Sequence, residues 1–155
     1  SVIIPSSVTN IGNYAFYGCN KLISVTIPNQ ATSIGNYAFY KCTRLISLSI
    51  GNSVQTIGDG AFAYCSGISS MIIPNGVTSI GNEAFFRCKG LTSVIMGKNV
   101  ESIGWGAFCD CESLKTITIP NSVTSLGDNA FSGSTNISTV TIGKKVSFID
   151  RYSFF

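Results

Sequence analysis

At 155 residues the chain is long enough for one domain with a real core. Hydrophobic residues make up 45% and charged residues only 11%, which argues against a disordered tail and against an ordinary soluble enzyme surface. Ten basic and seven acidic residues, a net charge of +3, are scattered rather than clustered, so no nucleic-acid footprint is present, and the lack of histidine removes the commonest general base and metal ligand.

The opening Ser1-Val2-Ile3-Ile4-Pro5 has no basic segment of the kind that starts a signal peptide, as would also hold for a mature or truncated secreted chain. No apolar run approaches the length of a membrane span. Val2-x-Ile4 reads as a short strand that Pro5 ends, because proline has no N–H to donate. Gly12 allows the chain to turn sharply. From Asn13 to Cys19, the one-turn spacing of Ala15, Phe16 and Cys19 predicts a single helical or 3₁₀ turn. Leu22-x-x-Val25-x-Ile27 then predicts a strand with one face buried, ended by Pro28.

The same order recurs every 23 residues with no insertion. Ile11-Gly12 returns as Ile34-Gly35, Ile57-Gly58, Ile80-Gly81 and Ile103-Gly104, continued by Leu126-Gly127 and Ile149-Asp150. Seven of the ten phenylalanines hold one repeat position: Phe16, Phe39, Phe62, Phe85, Phe108, Phe131 and Phe154. Cys19, Cys42, Cys65, Cys88 and Cys111 hold another, with Ser134 in the sixth place. The strand apolars continue through Leu48 and Ile50, Met71 and Ile73, Val94 and Met96, Ile117 and Ile119, Val140 and Ile142. Pro74 and Pro120 follow the strand as Pro28 does, while Gly51, Gly97 and Gly143 take that place in the other repeats.

One such unit cannot bury its apolar face alone; stacking does it, with strands about 4.8 Å apart and each residue type forming a column. The L-x-x-L-x-L spacing is the strand signature of a leucine-rich repeat. The expected fold is an α/β repeat solenoid, a right-handed leucine-rich-repeat horseshoe or arc. It has a short parallel sheet on the concave side and irregular or 3₁₀ turns on the convex side. A single domain of about six to seven repeats spans residues 1–155.

Cys19-x-x-Leu22-x-x-Val25-x-Ile27-Pro28, followed by Val54-x-x-Ile57-Gly58-x-x-Ala61-Phe62-x-x-Cys65, resembles the BspA-like class of leucine-rich repeats across essentially the whole chain. A fixed asparagine or cysteine three residues after the last strand apolar is absent, since Gln30, Ser53, Gly76, Asn99, Ser122 and Lys145 stand there, a departure that this class shows. The resemblance implies a cell-surface or secreted protein of a bacterium or protist, in a class often linked to adhesion. It implies no particular ligand.

Chemistry-bearing groups are sparse. Five cysteines in one column point the same way and cannot all pair, so they read as buried free thiols acting as small hydrophobes. Cys109 stands outside the column and is expected to be the reachable thiol; Cys109-Asp110-Cys111 lacks the partners of a zinc site. Without histidine no Ser-His-Asp or Cys-His arrangement exists, and Asp59 and Asp128 lie three repeats apart, beyond glycosidase pairing distance. No catalytic residue, cofactor or metal is expected.

Two surfaces are candidates for recognition. The outward strand face carries Ser24, Ser47, Ser70, Ser93, Thr116 and Thr139 in one row, and Thr26, Ser49, Ile72, Ile95, Thr118 and Thr141 in the next. It is either a plain solvated sheet face or a flat polar and apolar surface for a protein or glycan. Tyr14 and Tyr37 share one column, Tyr17, Tyr40 and Phe86 another, with Tyr64 and Trp105 nearby; these aromatics are either partly buried between repeats or form a contact surface. Asn136-Ile137-Ser138 is the one N-glycosylation sequon, so Asn136 can carry a glycan if the source has the machinery.

Neither end looks capped: the chain begins within a strand and finishes on Phe154-Phe155. It reads as a segment of a longer array or, alternatively, as a subunit whose copies stack end to end into filaments. The expected function is non-catalytic recognition or adhesion at a cell surface, with a protein or glycan as partner and neither nucleic acid binding nor membrane insertion. The alternatives are a self-assembling structural subunit and an accessory repeat domain of a larger surface enzyme.

Overall fold

A computed structural model describes residues 1–150 and 152–155. Its strands are all short. One series has β1 (Val2–Ile3), β3 (Ser24–Thr26), β5 (Ser47–Ser49), β7 (Ser70–Ile72), β9 (Ser93–Ile95), β11 (Thr116–Thr118) and β13 (Thr139–Thr141). Alternating with it come β2 (Asn10–Ile11), β4 (Ser33–Ile34), β6 (Thr56–Ile57), β8 (Ser79–Ile80), β10 (Ser102–Ile103) and β12 (Ser125–Leu126). Every pairing is parallel and in register at 23 residues, as in Ser33↔Thr56 and Val25↔Leu48. The molecule is thus a parallel β-solenoid of leucine-rich-repeat type.

The second series forms one unbroken six-stranded sheet, β12-β10-β8-β6-β4-β2, on a part of the repeat where the sequence suggested only a turn. Its ladder continues into the glycine of each repeat, since Gly81 N–H donates to Ile57 O at 2.8 Å. That glycine is required for a reason other than turn-making. Its φ is not in the left-handed region, but a Cβ on Gly81 would come within 2.6 Å of the Asp59 backbone nitrogen. The Ile-Gly signature therefore marks close approach of successive turns. An Asx ladder runs beside it: Asn36 N–H donates to Asn13 Oδ1, Asp59 to Asn36, Asn82 to Asp59 and Trp105 to Asn82, at 2.7–2.9 Å.

The expected helical or 3₁₀ turn does not form; among the described residues there is no helix. The hydrogen bonds give the reason. Ala15, Tyr17 and Cys19 donate three residues back, to Gly12, Tyr14 and Phe16. Tyr14, Phe16 and Gly18, between them, donate outward to Asn36, Ala38 and Tyr40 of the next turn. Alternate N–H groups thus belong to neighbouring turns, so an intrachain helix cannot propagate. Two positions per turn take left-handed φ to make this possible: Tyr14, Tyr37, Gly60, Glu83, Gly106 and Asn129 at one, Gly18, Lys41, Tyr64, Arg87, Asp110 and Gly133 at the other. The apolar spacing of Ala15, Phe16 and Cys19 instead serves the columns. Phe16 through Phe154 stack with ring centroids 5.0–5.5 Å apart and planes within 12°.

The strand face is not one sheet. It divides into β1-β3-β5 and β13-β11-β9-β7, with no ladder pairing between β5 and β7. The Pro/Gly alternation after the strand explains this. Where a glycine turn follows a proline turn the two close tightly: a Cβ on Gly51, Gly97 or Gly143 would overlap the carbonyl oxygen of Pro28, Pro74 or Pro120. At those steps Ile27, Ile73 and Ile119 donate to Ser49, Ile95 and Thr141 at 2.8–2.9 Å. Where a proline turn follows a glycine turn, the proline has no N–H with which to continue the ladder. Ile50 has no such partner among the described residues, and β9 pairs with β11 only at Thr116↔Ser93. On this face, though not in the six-stranded sheet, the tightest pairing is therefore in couplets, β3/β5, β7/β9 and β11/β13.

Candidate functional site

The predicted strand rows fall where the sequence put them. Thr26, Ser47, Ser49, Ser70, Ile72, Ser93, Ile95, Thr116, Thr118, Thr139 and Thr141 are exposed and Ser24 is half-buried. Their alternates Val25, Met71, Val94 and Ile117 are buried in the core. The central part of this face is recessed into an open groove of about 1220 Å³. Its floor is Thr26, Ser47, Ser49, Ser70, Ile72, Ser93 and Ile95, and Ile46, Pro28, Gly51 and Pro74 form its sides. Ile72 and Ile95 are paired in register and are 62% and 64% exposed, and Ile46 is 61% exposed. Thr116, Thr118, Thr139 and Thr141 lie outside the groove. The sequence reading missed Ile46, whose repeat position holds Ile23 in the preceding turn but Ser69, Thr92, Lys115 and Ser138 in the later ones.

The aromatic candidates form a second depression, about 420 Å³, lined by Tyr14, Tyr17, Tyr37, Tyr40, Tyr64, Glu83 and Phe86. Tyr14 stacks on Tyr37 at 5.4 Å and Tyr17 on Tyr40 at 4.9 Å. Tyr64 meets both Tyr40 and Phe86 edge-on, at 5.3 and 5.4 Å. Lys41 lies over the Tyr40 and Tyr64 rings, and Arg87 over Tyr64 and Phe86 while pairing with Asp110 at 2.9 Å. Burial, reinforced by neighbouring Tyr64, raises the Tyr40 hydroxyl pKa above its ordinary value. Trp105 does not join this cluster; it is exposed and lines a separate shallow depression beside Asp59, Asn82 and Ser125.

The cysteines are all free, and four of the five column members are buried. They are more than small hydrophobes. Cys42, Cys65, Cys88 and Cys111 each donate S–H to the carbonyl of Phe16, Phe39, Phe62 and Phe85 at 3.1–3.2 Å, and Ser134 does the same to Phe108 at 2.8 Å. Burial pushes Cys65 and Cys111 well up and Cys88 to about 12. The expectation that Cys109 is the one reachable thiol is corrected: Cys109 is half-buried with its pKa raised by that burial, and Cys19 is exposed. Asn136 is exposed, and its Nδ2 donates to Glu112 O at 2.6 Å. No cluster of metal-ligating side chains occurs among the described residues.

These columns can be set against known proteins. The family described as the BspA type leucine rich repeat region matches in six copies, over residues 1–114 and 78–155. The chain belongs to the BspA-type leucine-rich repeat family. A T. pallidum leucine-rich repeat protein of known structure is similar at 30% identity and TM-score 0.87, over 92% of this chain and 72% of that one. A leucine-rich cell surface protein of Faecalibacterium prausnitzii is 37% identical with TM-score 0.82, over 92% of this chain but 38% of that one. The pneumococcal vaccine antigen PcpA, at 23% identity and TM-score 0.79 over 92% of this chain and 40% of that one, shares the fold. No curated protein matches. This BspA-type chain thus corresponds to most of one solved relative and to less than half of the others named.

Proposed function

We propose that this chain is a non-catalytic recognition module of a cell-surface protein and that it docks a protein partner in the strand-face groove. The observation that supports this reading is the pair Ile72 and Ile95, held in register and largely exposed on the groove floor. A soluble surface does not gain from such a pair; contact surfaces do, with apolar anchors set among small polar groups. Ser47, Ser49, Ser70 and Ser93 supply hydrogen bonding without charge around them. The cell-surface location rests on the description of the F. prausnitzii relative.

Surface plasmon resonance against a panel of immobilised extracellular proteins tests the reading. At least one should bind saturably, and the double variant Ile72→Arg/Ile95→Arg should weaken it at least tenfold with unchanged melting temperature. Absence of saturable binding, or binding indifferent to the double variant, would sink it.

A further inference from the structure

The aromatic depression is built by an interruption of columns. The first two turns present large rings, Tyr14 and Tyr17, then Tyr37 and Tyr40. The third turn withdraws to Gly60 and Ala63 at the same two positions, and the fourth returns with Glu83 and Phe86. Gly60 is needed for the shape, because a Cβ there would reach within 2.4 Å of the Tyr37 ring. The result is a trough with tyrosine faces at one end, Glu83 and Phe86 at the other, and Tyr64 between. It shares no lining residue with the strand-face groove.

The backbone under it is costly. Tyr14, Tyr37, Tyr64 and Glu83 all sit at left-handed φ, between 52° and 63°. Elsewhere the same two repeat positions hold Gly18, Gly106 and Gly133 but also Lys41, Arg87, Asp110 and Asn129, all at left-handed φ, so this backbone belongs to the repeat as a whole.

The chemistry of the trough selects its ligand. Aromatic faces attract both organic cations and the C–H faces of sugars. Lys41 and Arg87 already cover the Tyr64 ring, and they would repel a further cation. The Glu83 carboxylate makes no ion pair or side-chain hydrogen bond among the described residues, and the Tyr40 hydroxyl remains a donor. Half-exposed tyrosine rings and their hydroxyls, beside an uncommitted acceptor, suit a polyhydroxylated, uncharged ligand. We propose that this trough is a binding site for a neutral saccharide, separate from the protein-docking groove.

Isothermal titration of the whole chain with maltohexaose, cellohexaose, mannohexaose and chitohexaose tests this, alongside a decaproline peptide. At least one oligosaccharide should bind with Kd below about 1 mM, within the range of weak specific recognition. Tyr40→Ala and Glu83→Gln should each raise that Kd at least tenfold, and Ile72→Arg/Ile95→Arg should leave it unchanged. Glu83→Gln preserves size but removes the charge and replaces one of the two acceptor oxygens with a donor, so it decides the matter even if Tyr40→Ala misfolds. The proposal is overturned if no oligosaccharide binds at 10 Kd-equivalents of that limit, about 10 mM, if Glu83→Gln binds as the parent does, or if decaproline binds better than every sugar.

Discussion

At the level of single residues, the cysteine column behaves as a hydrogen-bond ladder inside an apolar core. Each buried thiol both fills space and donates to a phenylalanine carbonyl, which also receives the N–H three residues on, as Phe62 O does from Cys65. Removing the thiol at Cys88 therefore leaves no orphaned carbonyl, and Cys88→Ala should cost about 1–2 kcal/mol for the lost donor and the small void. Cys88→Ser should cost less, since Ser134 makes the same bond with better geometry. Equilibrium denaturation of the two variants checks the order; equal losses would mean that the S–H donors contribute nothing. The pKa direction carries a further consequence. Burial holds the Cys88 thiol at about 12 in the fold, above its ordinary value near 9. The stabilising difference is complete below the ordinary value and is lost as pH rises toward 12. Melting temperature should accordingly start to fall above about pH 9, and less so in Cys88→Ser.

At the level of the element, the glycine that follows each short strand decides how closely turns can stack. Gly81→Ala forces a methyl against the Asp59 backbone and should cost about 1–3 kcal/mol. Gly12 holds the same repeat position but has nothing within 4 Å of the added Cβ, so Gly12→Ala should shift stability by no more than about 0.5 kcal/mol in this chain. Comparable losses for both would place the glycine requirement in the local turn rather than in the stacking. This is also where the sequence was misleading. The period, the columns and the strand rows could be read directly, because burial on one face repeats the same residue at the same place. The helical turn at Ala15, Phe16 and Cys19 could not be distinguished from what forms, because one-turn spacing satisfies both an intrachain helix and a stack of β-turns. The distinguishing signal was present in Gly18, Gly60, Gly106 and Gly133, which mark two left-handed positions per repeat and are incompatible with a continued helix.

At the level of the whole molecule, the Pro/Gly alternation divides the strand face into couplets while the six-stranded sheet runs on unbroken. The Ile50 amide should exchange with solvent faster than those of Ile27 and Ile73, which are bonded to Ser49 and Ile95. Equal protection at all three would remove the couplet description. The seam between β5 and β7 lies within the groove, between Ser47–Ser49 and Ser70–Ile72. Of the two surfaces, the groove was legible as rows of hydroxyls interrupted by Ile72 and Ile95. The trough was legible only as a list of aromatics, because its shape depends on what Gly60 and Ala63 leave out. Trp105 belonged to that list by type and is excluded from the trough by its repeat position.

Recognition of a protein partner through the strand-face groove can be read from hydrogen exchange of the chain with and without that partner bound. Added protection should be confined to Ser47–Ser49, Ser70–Ile72 and Ser93–Ile95 and their flanking residues. Protection confined to the turns on the aromatic side, or to residues 1–10 and 145–155, would contradict it.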